Sequence, residues 1–260
     1  MLPINLTMNK YSTSPFPSFW VIMLSGFVFA QNVLAGPADY VYTPTVEYGE
    51  REIDIKYGSA SPLAGNRAQA ASIGYGVGAK EYWFTEVYFK QDRNGGGVAN
   101  LAEWENKFQL TETGEYLFDV GLITELEAPL SANAPWEFKF GPLFQTGSGK
   151  VQFNGNLLFE RAFGKADETG VPYSTNLSYQ WQAKYRLQPT FEFGLQGFGE
   201  MGKWNKWDKQ IDRAYRSGPA VFGKFALGNR QAIRYNAAWL LGSSKVAPDH
   251  TFRMQIEYEF

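Results

Sequence analysis

The chain has 260 residues, 44% apolar and 17% aromatic, with 27 glycines, no cysteine, one histidine and a formal net charge of −2. That apolar content excludes a disordered chain, the absence of cysteine excludes disulfides, thiolate nucleophiles and cysteine metal sites, and the weakly acidic balance argues against nucleic acid as a partner. The mean hydropathy is nevertheless −0.32, as expected when apolar positions alternate with polar ones along strands that have one face in lipid and the other in water.

Residues 1–18 carry one charge, Lys10, and an apolar run follows from Phe19 to Ala30. The run falls short of the roughly 20 residues a spanning helix needs. Its length is that of a signal-peptide hydrophobic region, with cleavage after Ala35 or, alternatively, Ala30. The expected organisation is a signal peptide over residues 1–35 and a single domain over residues 36–260, whose net charge without Lys10 is −3.

From about Thr45 onward the dominant period is two, in segments of about ten residues separated by Gly, Asn, Asp, Pro and Ser clusters. The clearest segment runs from Asn176 to Leu187, where Leu177, Tyr179, Trp181, Ala183, Tyr185 and Leu187 alternate with polar residues. A helix would scatter these apolar positions round its circumference. The same alternation predicts twelve strands at 45–57, 67–78, 81–92, 98–111, 115–127, 135–145, 150–163, 175–188, 190–200, 215–227, 231–242 and 250–260. An even number suits a closed antiparallel transmembrane β-barrel with both termini in the periplasm. The second, fourth, sixth, eighth and tenth connections read as tight, and several odd-numbered ones as long outer loops. In the first strand Val46 and Tyr48 share one parity and Ile53, Ile55 and Tyr57 the other, which a bulge near Gly49 would reconcile. In the third, Tyr82, Phe84 and Tyr88 compete with Trp83, Val87 and Phe89 for the lipid face.

At the carboxyl end, Phe252, Met254, Ile256, Tyr258 and Phe260 form one face, and Arg253, Gln255, Glu257 and Glu259 the other. This terminus resembles the last strand of bacterial outer-membrane proteins, which ends in Phe after alternating apolar residues. The resemblance implies that Tyr258 and Phe260 are an assembly signal read by the barrel-assembly machinery. With Glu103–Leu110, Gly141–Phe144 and Asn154–Glu160, the whole chain resembles a porin-like family of proteobacterial outer-membrane β-barrels. That likeness implies fold and location, and no substrate.

The polar parity of the first half places Glu52, Asp54, Glu103, Glu105, Asp119, Glu125 and Glu137 in the lumen against Lys56, Lys107 and Lys139. The second half places Glu160, Glu192, Glu200, Glu257 and Glu259 there with Lys184, Arg186, Lys224, Arg234 and Arg253. Unlike walls of this kind either orient small polar or charged solutes in a narrow water-filled pore, or pair with one another inside a packed interior. A non-conducting structural or surface-binding barrel is the alternative to a channel. The outer loop Lys203–Lys209 sets Trp204 and Trp207 among three lysines, a pattern for lipopolysaccharide phosphates, sugar stacking or an aromatic membrane belt. A rim lipid hydrolase would need His250 with Ser243 or Ser244 and Asp249, but Phe252 stands where some membrane lipid deacylases carry serine. The reading is therefore a non-enzymatic channel with no metal or cofactor, surrounded by outer-membrane lipid.

Overall fold

The computed structural model describes residues 36–61, 65–95, 97–131, 134–164 and 172–260; the signal-peptide expectation for residues 1–35 lies outside them. Twelve long antiparallel strands are present: β1 (Arg51–Ser61), β2 (Ala68–Lys80), β3 (Trp83–Asn94), β4 (Gly97–Gln109), β5 (Asp119–Pro129), β6 (Trp136–Ser148), β7 (Val151–Phe163), β8 (Asn176–Gln188), β9 (Phe191–Lys203), β11 (Ala214–Gly228), β12 (Gln231–Gly242) and β13 (His250–Glu259). A two-residue strand, β10 (Lys206–Trp207), folds back on the end of β9. Each long strand pairs with its sequence neighbours, β9 joins β11, and β13 pairs with β1, so the sheet closes on itself. Closure satisfies every ladder hydrogen bond without an edge, which a chain crossing lipid on strands requires.

The side-chain distribution is inverted relative to a soluble protein. In one rung Ile55 lies between Ile256 and Ile73, and these side chains are 48%, 37% and 55% exposed. In the adjoining rung Asp54 lies between Glu257 and Gly74, and Asp54 is 1% exposed. Carboxylates, amides and arginines fill the interior while aromatic and aliphatic side chains cover the outside, the arrangement of a barrel whose solvent is lipid.

Two expectations change, and the open facing of the third strand is resolved. The first strand starts at Arg51 rather than near Thr45, because Gly49 takes a left-handed conformation (φ 79°) and its N–H bonds the carbonyl of Gly78. The parity switch between Tyr48 and Ile53 therefore marks a turn into the lumen instead of a bulge. The third strand turns Phe84, Glu86 and Tyr88 inward and Val87 and Phe89 outward. The facing inward positions on β2 are Gly74 and Gly76, where a Cβ would come within 2.4 Å of the Tyr88 and Phe84 rings respectively. The fourth connection, expected to be tight, spans 110–118. Gly114 turns with φ 77° and donates its N–H to Asp119 Oδ1, and Thr111 Oγ1 accepts from Val120 N, so Tyr116, Leu117 and Phe118 stay outside the sheet.

Candidate functional site

The lumen is the site. On the β1–β6 wall, Asp54, Glu86, Glu103, Glu105, Asp119 and Glu125 are all buried, and Lys56, Lys90 and Lys139 lie among them. Lys90 Nζ lies 2.7 Å from Glu103 and 2.6 Å from Glu127, and Lys139 Nζ 2.8 Å from Glu125. Lys56 stands 3.4 Å from Asp54, with the rings of Tyr40 and Tyr88 centred 3.8 and 3.6 Å from its ammonium. Cation–π contact is strongest where water is excluded, as here. Tyr88 and Gln255 both donate to Asp54 Oδ2, at 2.6 and 2.9 Å.

The opposite wall is built of amides. Gln196 donates to Gln182, Gln182 to Asn154, and Asn154 to Gln145, each at 2.9–3.0 Å. Arg253, 1% exposed, ends this chain with bonds to Gln196 and Asn236. The amides of this ladder satisfy one another without adding charge of their own. Charge returns at the rim that holds Arg51 and Phe260: Lys184 pairs with Glu192 at 3.1 Å, Lys224 with Glu259 at 2.7 Å, and Arg234 with Glu259 and, at 3.5 Å, Glu47.

Residues 36–48, which precede β1, occupy the lumen. From the turn at Gly49 they run up the inside of the barrel in extended form, and successive side chains of an extended chain point to opposite sides. Tyr42 packs on Ile123, Leu143 and Leu158 of β5–β7, while Val41 packs on Phe198, Ala220, Phe222, Ala238 and Leu240 of β9–β12. The Tyr40 hydroxyl donates to Glu105 at 2.9 Å and that of Tyr42 to Glu125. Asn156 donates to the Tyr42 carbonyl, Val46 N–H to Gln109, and Arg216 to the Gly36 carbonyl. The wall is cut back where this backbone passes: a Cβ on Gly58 would meet Pro37 O at 2.0 Å, one on Gly78 would meet Glu47 O at 1.9 Å, and one on Gly121 would meet Pro44 Cα at 2.9 Å.

Of the residues expected in the lumen, Asp54, Glu103, Glu105, Asp119, Glu125 and Arg253 are buried there, and Lys184, Lys224 and Arg234 are held in ion pairs. Arg186 instead lies exposed near the end of β8, bonded to the Gly149 carbonyl in the tight β6–β7 turn. Glu127 and Arg216 join the lumen groups without being singled out by the sequence, and Glu86 and Lys90, left open with the parity of β3, face inward. Trp204 sets its ring edge against outward-facing Phe159, and Arg213 lies 5.6 Å over Trp207. His250 packs on Trp239. The serines expected beside it are turned to Tyr215 instead, Ser243 Oγ donating to its carbonyl and Ser244 Oγ accepting from its N–H.

No protein-family profile and no curated protein sequence matches the chain. Among solved structures, the NanC porin aligns over 80% of this chain and 98% of its own with a TM-score of 0.53 and 12% identity. The KdgM porin aligns over 80% and 99% with a TM-score of 0.52 and 8% identity. An outer-membrane channel from Pseudomonas putida F1 aligns over 85% and 98% with a TM-score of 0.54 and 14% identity. At these identities the likeness is one of fold: the chain has a closed barrel of the outer-membrane porin and channel type.

Proposed function

We propose that the chain is a narrow outer-membrane channel for small polar or charged solutes. The observation that carries this reading is the inverted barrel itself, apolar outside and lined within by carboxylates, lysines and amides. The rim holding Arg51 and Phe260 is the periplasmic one, and the longer connections lie mostly at the outer rim. The carboxylate excess on the β1–β6 wall favours cations over anions, since rings and tracks of one charge set the selectivity of a pore. KdgM has been solved in complex with oligogalacturonate; the acidic wall here disfavours an anionic sugar. A reversal-potential measurement across a potassium chloride gradient tests this. Cation preference is expected, and anion preference would contradict the assignment of the acidic wall to the conducting path.

Two surface roles accompany it. Phe260, whose N–H bonds the Arg51 carbonyl across the seam and whose ring stacks on Tyr258, is the assembly mark for the barrel-assembly machinery. Trp204 and Trp207, with Lys203, Lys206, Lys209 and Arg213, form the outer-leaflet contact for lipopolysaccharide: Trp204 lies on the apolar belt, and the cations reach phosphate. The engagement of Ser243 and Ser244 with Tyr215 supports a channel over a hydrolase built on His250.

A further inference from the structure

The inward-facing surface contains two features that a water-filled pore does not need. One is the set of apolar positions (Ile123, Leu143, Leu158, Phe198, Phe222 and Leu240) on walls otherwise lined with charge and amide. The other is the group of glycines on three strands, Gly58, Gly78 and Gly121, whose missing Cβ atoms lie where the backbone of residues 36–48 passes. Both are explained at once if the wall is a receptor for an extended peptide. Glycines admit its main chain, two apolar patches take its alternating side chains, and Gln109, Asn156 and Arg216 bond its N–H and carbonyl groups. The Tyr40 and Tyr42 hydroxyls bind the very carboxylates, Glu105 and Glu125, that would otherwise face the lumen.

We propose that the lumen wall is a peptide-binding track whose occupant is this chain's own segment 36–48, and that the segment governs both the throughput and the charge selectivity of the channel. The inference rests on the channel reading above. With the segment seated, the lumen is narrowed at Val41 and Tyr42, which pack on opposite walls, and two carboxylates are capped by phenols. With it displaced, the apolar patches and glycines face water, and Glu105 and Glu125 join the lumen as uncapped anions. Displacement therefore raises conductance several-fold and shifts permeability further toward cations.

The test exploits the absence of native cysteine. Val41→Cys places a single thiol where the side chain is 6% exposed. In the refolded full-length mature barrel this thiol should react with a small charged maleimide far more slowly than in the urea-unfolded chain. Adding Gly58→Leu, which puts a side chain into the space of Pro37 and Ala38, should release the thiol to rapid labelling. In planar bilayers Gly58→Leu should raise the single-channel conductance and the cation-to-anion permeability ratio together. Should Gly58→Leu fail to show heat-modifiable migration, Tyr40→Ala with Tyr42→Ala, which removes both anchors and leaves the wall intact, should give the same two changes. Rapid labelling of Val41→Cys in the otherwise native barrel would overturn the proposal, and so would a displaced segment that leaves conductance and selectivity at native values. If the thiol is protected and then released but neither barrel conducts, the channel reading has failed, and the control of throughput fails with it.

Discussion

The Lys139–Glu125 pair decides whether the barrel interior behaves as packed protein or as water. Lys139 Nζ lies 2.8 Å from Glu125, the two side chains are 14% and 4% exposed, and Tyr42 also donates to Glu125. If the segment shields this pair from water, Lys139→Met leaves a buried carboxylate with one phenol for company and costs about 3–5 kcal/mol. If water reaches the pair, the loss is about 0–1 kcal/mol, the value of a solvated ion pair. A double substitution, Lys139→Met with Glu125→Leu, should recover most of the loss in the packed case, because removing both partners leaves no orphaned charge. The assay is equilibrium urea unfolding of the barrel in lipid vesicles, followed in parallel by tryptophan fluorescence and heat-modifiable migration. A single-mutant loss within about 1 kcal/mol, or a double mutant as unstable as the single, would refute the claim that residues 36–48 shield this pair from water.

Replacing Tyr258 and Phe260 with Asp should sharply lower the amount of assembled barrel in outer-membrane fractions without lowering export across the inner membrane, as read by fractionation of cells. Neutralising Lys184, Arg186 and Arg234 together should shift the reversal potential toward cations; most of the change should come from Lys184 and Arg234, since Arg186 sits at the turn beside Gly149. His250→Ala should leave conductance unchanged, and the native chain should release no fatty acid from phospholipid vesicles. Trp204→Ala with Trp207→Ala should weaken retention of lipopolysaccharide by the purified barrel, measured as the lipid that co-purifies, while leaving heat-modifiable migration intact.

The strands were legible because a two-faced strand writes its environment into every second residue. The segments at 150–163, 175–188 and 231–242 match Val151–Phe163, Asn176–Gln188 and Gln231–Gly242 to within a residue. What was not legible depends on neighbours in space. Val46 and Tyr48 alternate as a strand would, and an extended peptide inside a barrel has the same local pattern as a strand in its wall. Only the turn at Gly49 separates the two. The facing of Phe84 and Tyr88 was set by Gly74 and Gly76 on the adjoining strand, so no window confined to β3 contains the answer. Tyr116, Leu117 and Phe118 read as strand by composition, yet Gly114 and the side chains of Thr111 and Asp119 hold them in a loop. One signal for the lumenal segment was nevertheless present. Ile123, Leu143, Leu158 and Phe198 fall on the polar parity of their strands, and apolar residues aimed into a lumen need an apolar partner there.

The central claim, that this barrel is a narrow channel, is tested most directly by single-channel recording of refolded residues 36–260 in a planar lipid bilayer. The account predicts small, discrete, cation-preferring current steps from protein that shows heat-modifiable migration. Correctly folded and inserted barrels that give no current steps at any voltage tested would contradict it.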